Sequence, residues 1–224
     1  MIISHDSEKY KKANSQSQWN GAYYYSKEIV ENIIPRIKTD RNWVTINCSD
    51  AADHSIVFIH NNLHPEHYDF LKNYRDLILV VGVPETASKV AHLGKTIYLP
   101  LSVDIANVEK YMSKKEKPLC FVGRPSKFEG TIATGDYIGG VPREQLLRRL
   151  AKYENAYAVG RCAIEARVLG CNILPYDSRF PDPSIWKIFD NEDAAKCLQR
   201  ALREIRYKEH IDCSQFEEYK NVIR

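Results

Sequence analysis

The chain has 224 residues, of which 44% are hydrophobic and 27% charged, and its net charge is +3. That is ordinary globular composition, with length enough for one large core or two small ones, and it excludes a disordered or fibrous chain. No apolar run approaches the length of a bilayer span, and so small a net charge gives nucleic acid no support as a partner.

The chain opens MIISHDSEKYKK, a short apolar start followed by polar residues. A secretory signal has the reverse order, so a cytoplasmic protein is expected. The cysteines at 48, 120, 162, 171, 197 and 213 are scattered, with no C-x-x-C pair. They read as reduced, mostly buried thiols, and no ligand cluster has the spacing of a zinc site.

Met1–Ser4 suits a first strand, and the polar stretch after it a loop. From Asn20 to Ile37 the spacing of Tyr25, Ile29 and Ile33 predicts a helix that Pro35 ends or kinks. Strands follow at Trp43–Ser49 and Ser55–Asn62, both rich in β-branched residues. Pro65 opens a helix. Asp76–Val83 is a continuous apolar run, as expected of a strand buried on both faces. PETASKVAHLG forms a short helix closed by Gly94, and Lys95–Leu101 the next strand.

After Asp104 the texture changes to the charged stretch DIANVEKYMSKKEKP, which looks like a linker. Pro118–Arg124 begins a new strand, and the stretch from Pro125 to Val141 is read as loops and turns. PREQLLRRLAKYEN reads as a helix, NILPYD as a strand, and DPSIWKIFD as a short helix. Asn191 onward is helical, with an acidic first turn and Leu198, Leu202 and Ile205 on one face. Alternating strands and helices indicate an α/β protein of two small Rossmann-like lobes with parallel sheets and a cleft between them. The lobes are expected over residues 1–104 and 105–224.

Three places could carry chemistry. In YAVGRCAIEARVLGCNILPYD a helix starts after Gly160, with Arg161 beside it and Glu165 one turn on. A glycine at a helix start lets a phosphate approach unpaired N–H groups, and Arg161 would add charge. The other reading is that the helix simply packs on its sheet with Glu165 in water. In FVGRPSKFEG a strand end at Gly123 is followed by Arg124 and Lys127, which would flank a diphosphate or form a solvated basic turn. In HNNLHPEH, His60 lies nearest the strand end and is the candidate base or substrate ligand. The alternative there is a polar loop with Asn62 as a helix cap.

IYLPLSVD, FVGRPSKFEG and YAVGRCAIEARVLGCNILPYD occur in this order over about half the chain. In that order they resemble the motifs of GT-B glycosyltransferases. The resemblance implies a sugar passing from a nucleoside-diphosphate sugar, a UDP-sugar foremost, to a hydroxyl acceptor. Retaining transfer without a required metal would be expected, and no tightly bound cofactor. Arg124 and Lys127, with Gly123, would sit at the phosphates, and Tyr157, Gly160, Arg161 and Cys162 around the diphosphate or sugar. Glu165 would hold the ribose. The acceptor would lie on the N-terminal lobe near His60 and the 15–21 loop, and the last helix would pack back on that lobe. Tyr157 stands where that family usually carries a second glutamate, and the interval from Arg124 to Gly160 is short. Two other readings follow: a relative that binds the nucleotide without transfer, and a protein-interaction module that keeps only the fold.

Overall fold

The computed structural model describes residues 3–4, 21–45, 52–59, 65–123, 135–176, 178 and 180–220. The chain divides into two compact units. The first is built around Ala22–Leu101 and Asn191–Val222, the second around Ser102–Asp190. Each holds one parallel sheet flanked by helices, so the α/β class read from the sequence is what the chain adopts.

The first unit has a six-stranded sheet, ordered β1-β2-β3-β4-β5-β10. Its strands are β1 (Ile3–Ser4), β2 (Asn42–Thr45), β3 (Ser55–Ile59), β4 (Ile78–Val81), β5 (Lys95–Tyr98) and β10 (His210–Asp212). Every neighbouring pair is parallel. β3 and β4 are buried at every residue, which is why they read as unbroken apolar runs. Alternate residues serve opposite faces. Val57, Ile59, Leu79, Val81 and Tyr98 pack with Leu71, Ala87 and Val90, which come from α2 (Pro65–Leu71) and α3 (Pro84–Val90). On the other face Trp43 stacks on Phe58 with 5.7 Å between ring centroids.

Helix α1 (Gly21–Glu28) runs into one π turn, Ile29–Ile33, and then a 3-10 turn, Ile34–Arg36. Pro35 accounts for the change. It has no N–H to give and its ring crowds the preceding turn, so the ladder widens to Ile34 N–H bonding Ile29 O and then stops. The buried Glu28 carboxylate accepts from the amides of Asn32 (2.8 Å) and Asn191 (2.5 Å), tying α1 to the start of α7 (Asn191–Glu204). The stripe Cys197, Leu198, Ala201, Leu202 and Ile205 is buried in this unit. It is core rather than a free docking face.

The second unit has a four-stranded parallel sheet, ordered β7-β6-β8-β9, from β6 (Lys117–Val122), β7 (Asp136–Ile138), β8 (Tyr153–Tyr157) and β9 (Asn172–Leu174). Its helices are α4 (Ile105–Glu109), α5 (Arg143–Leu150) and α6 (Arg161–Val168). The supposed linker is thus partly helical: Asp104 caps α4 by accepting from Asn107 N–H at 3.0 Å. Leu146, Leu147, Leu150, Ile138, Ala156, Ala163 and Ile164 form the buried interior. Lys115 Nζ donates to Ala151 O (3.0 Å) and Leu169 O (2.7 Å), so one cation closes the C-terminal ends of both α5 and α6.

Candidate functional site

Strand order marks the place in the second unit where a ligand crevice is expected. β6 sits between β7 and β8. The chain leaves β6 toward β7 on one side, crosses back to β8, and continues outward to β9. The strands that follow β6 and β8 in the chain, β7 and β9, therefore lie on opposite sides of the β6/β8 pair. In open α/β sheets a ligand crevice lies at such a reversal, beyond the carboxyl ends of the two strands. All four strands are parallel, so Gly123, Gly139-Gly140, Ala158–Gly160 and Pro175-Tyr176 share that edge.

The edge is fixed by hydrogen bonds to the end of β6. The Tyr137 hydroxyl donates to Gly123 O, and the Tyr176 hydroxyl donates to Val122 O at 3.1 Å. Gly123 takes φ +141, and Gly123 N–H bonds Ile138 O at 3.2 Å. Gly139 is required by close approach: a Cβ there would run into the Tyr137 hydroxyl and Gly123 O. Tyr157, at the end of β8, is half-buried and stacks almost flat on Phe121, centroids 4.7 Å apart. It lines the strand end as an aromatic platform where a carboxylate was the familial expectation.

Gly160 begins α6 with φ 63 and ψ −139, a conformation that only glycine adopts without strain. As the N-cap, Gly160 brings no side chain to cap the helix, and no acidic residue lies in the first turn. Gly160 O accepts from Ala163 N–H (3.0 Å) and Ile164 N–H (3.3 Å), drawing the turn tight. The partial positive charge of the helix start thus lies at the carboxyl edge of the sheet.

Arg161, Cys162 and Glu165 follow within α6, and all three are buried. Glu165 is only 3% exposed. Its Oε1 lies 2.9 Å from Arg161 Nη2 and 2.8 Å from Arg143 Nη2. Arg143 was not singled out from the sequence. It stands at the first turn of α5, just past Pro142, and only tertiary packing brings it to Glu165. A carboxylate between two guanidiniums fixes the α5 and α6 starts in one arrangement. It also commits Oε1 to side chains. The expected ribose contact would have to be made by Oε2 or after rearrangement.

Arg124, Lys127 and His60 lie outside the described residues, as do residues 15–20, Asn62 and Cys48. Arg124 follows Gly123 directly, and His60 follows the last residue of β3.

Cys120, Cys171, Cys197 and Cys213 are free thiols, and all four are buried, as is Cys162. Burial pushes the Cys120 and Cys197 thiols up to about 12 and Cys213 well above its ordinary value. Burial and raised thiol values suit Cys120, Cys197 and Cys213 to packing, in line with the buried thiols the sequence indicated. Among the described residues there is no group of three His, Cys, Asp or Glu placed to hold a metal ion, and no helix is long and apolar enough to cross a membrane. No protein-family model, no curated protein and no solved structure matches the chain.

Proposed function

We propose that the second unit binds a nucleoside diphosphate at the β6/β8 edge and that the chain is a glycosyltransferase using a nucleoside-diphosphate sugar. The observation that carries this is the strand-order reversal at β6, with Gly160 in a glycine-only conformation opening α6 beside it. A phosphate there would meet backbone N–H groups and the helix dipole, with the Arg161 charge close by. The resemblance of the motifs around Gly123 and Gly160 to GT-B enzymes supplies the donor class. In transfer, negative charge develops on the departing diphosphate. Backbone N–H groups of α6 and the cations Arg124 and Lys127 would stabilise that charge. The acceptor hydroxyl would need a base, for which His60 is the candidate.

Tyr157, standing where that family usually carries a second glutamate, favours a second reading, a chain that binds the nucleotide without transferring a sugar.

Calorimetry against a panel of nucleoside diphosphates and their sugars, with and without magnesium, separates these readings. Selective binding of one nucleotide-sugar, with slow release of free sugar in the presence of water, supports the transferase. Binding with no hydrolysis and no transfer to any acceptor in a hydroxyl panel supports the second reading. No binding across the panel refutes both.

A further inference from the structure

At the other end of the first unit's sheet, where its strands begin, lies a groove of about 590 Å³. One wall is the 38–41 segment, the other the last turns of α7, and Ile78 and Lys95 lie between them. The walls are tied together. Lys38 N–H donates to Gln199 Oε1 at 2.8 Å, and Gln199 Nε2 donates back to Lys38 O at 3.3 Å.

The lining is strongly basic, with five lysines and arginines against one carboxylate, Asp40. Two of the cations are already committed. Arg41 donates to both carboxylate oxygens of Asp76, at 2.9 and 2.8 Å. Lys95 Nζ donates to Ile205 O (3.0 Å) and Arg206 O (3.3 Å). The second commitment matters for an anion. The carbonyls at the end of α7 carry the negative end of its dipole, and Lys95 covers them. Three cations remain: Lys38, Arg203 and Arg206 are exposed and have no ion pair with a carboxylate among the described residues. Asp40, the one carboxylate of the lining, lies 3.9 Å from His54 Nε2 and forms no ion pair with Lys38, Arg203 or Arg206. Leu202 and Ile205 add buried apolar surface to the lining.

We propose that this groove binds a small molecule carrying two or more phosphate groups. The volume falls within the range that accepts a metabolite-sized ligand. Three exposed cations on two opposed walls suit separated phosphates better than a single carboxylate, and apolar surface suits the organic body between them. The site is built wholly from the first unit, and nothing in it depends on the β6/β8 edge.

Titration of the full chain with inorganic pyrophosphate, followed by calorimetry and amide NMR shifts, tests the proposal. Saturable binding is expected, with shifts centred on residues 38–41 and 199–206. A variant carrying Lys38→Gln, Arg203→Gln and Arg206→Gln, all exposed positions, should bind at least tenfold more weakly and melt at the same temperature. Gly160→Ala should leave pyrophosphate binding at the groove unchanged, which distinguishes this site from the nucleotide site. Three results each overturn the proposal: no saturation in the millimolar range, the same affinity in the triple variant, or an equal effect from sodium chloride at matched ionic strength. If the triple variant melts lower, the Lys38→Gln variant alone decides, with unchanged shifts at 199–206 counting against the groove.

Discussion

In the first unit β1 to β5 lie side by side in chain order, whereas the second unit's sheet turns back on itself at β6. The first arrangement sends each connection onward in the same direction. Its inner strands are sealed, and all of β3 and β4 is buried. The second arrangement puts the reversal at one edge, which carries glycines and tyrosine hydroxyls. Strand order alone thus gives the second unit a reversal at its carboxyl edge that β1 to β5 lack.

The sharpest way to break the comparison is to damage each region and read both stability and binding. Phe58→Ala, at a position with 0% exposure, should cost about 3–5 kcal/mol in denaturant unfolding. Molecules still folded should bind nucleotide as before. Glu165→Ala leaves two arginines without their shared partner and should cost about 3 kcal/mol. Here the folded fraction should also lose nucleotide affinity, because the start of α6 is no longer held. Equal binding by both variants would erase the distinction.

Gly160→Ala is a smaller lesion with a more pointed outcome. A side chain at φ 63 and ψ −139 should cost about 1–3 kcal/mol. It should weaken nucleotide binding more than any stability-matched change in the first unit. A nucleotide affinity that tracks stability alone would leave Gly160 with a purely structural role.

The smallest effect is an acid transition local to the first unit. Burial raises the Asp76 carboxyl, but hydrogen bonds from Arg41 and His54, and their charges, draw it below its ordinary value of 3.8. A depressed folded-state value means the stabilisation is present once the unfolded carboxyl is ionised, above pH about 4. It drains away as pH falls through the lower folded value. Asp76→Asn should flatten that part of the stability profile. A persisting acid slope in the variant would assign it to other carboxylates.

The parts legible in the sequence are those where burial is uniform or one-sided. β3 and β4 showed as apolar runs, and α7 as an apolar stripe, because each meets a complete core on the relevant face. β7 and β8 did not. Asp136 and Tyr137 of edge strand β7 are exposed and only Ile138 is buried, so three residues read as part of a turn. β8 is YENAY, taken as the tail of a helix and the start of a loop. Its polar groups are satisfied by tertiary contacts: the Tyr153 hydroxyl donates to Asp136 at 2.6 Å, and Asn155 Nδ2 to Pro118 O at 2.9 Å. No local pattern encodes those partners.

The site was legible in the same uneven way. Gly123 and Gly160 announced themselves as glycines at element ends, and both occupy positive-φ positions. Arg143 gave no signal, since a basic residue after a proline at a helix start is ordinary until Glu165 is seen beside it. Tyr137 and Tyr176 were equally silent. Their function in bracing β6 depends on two hydroxyls reaching carbonyls on another strand.

The most direct test is amide NMR of the full chain titrated with the nucleoside diphosphate that binds best. The account predicts that the largest shifts fall on Gly123, Gly139-Gly140 and Ala158–Cys162, with β3 and β4 unmoved. Saturable shifts that spare Ala158–Cys162 would contradict it, because the reversal at β6 would then not be where the ligand binds.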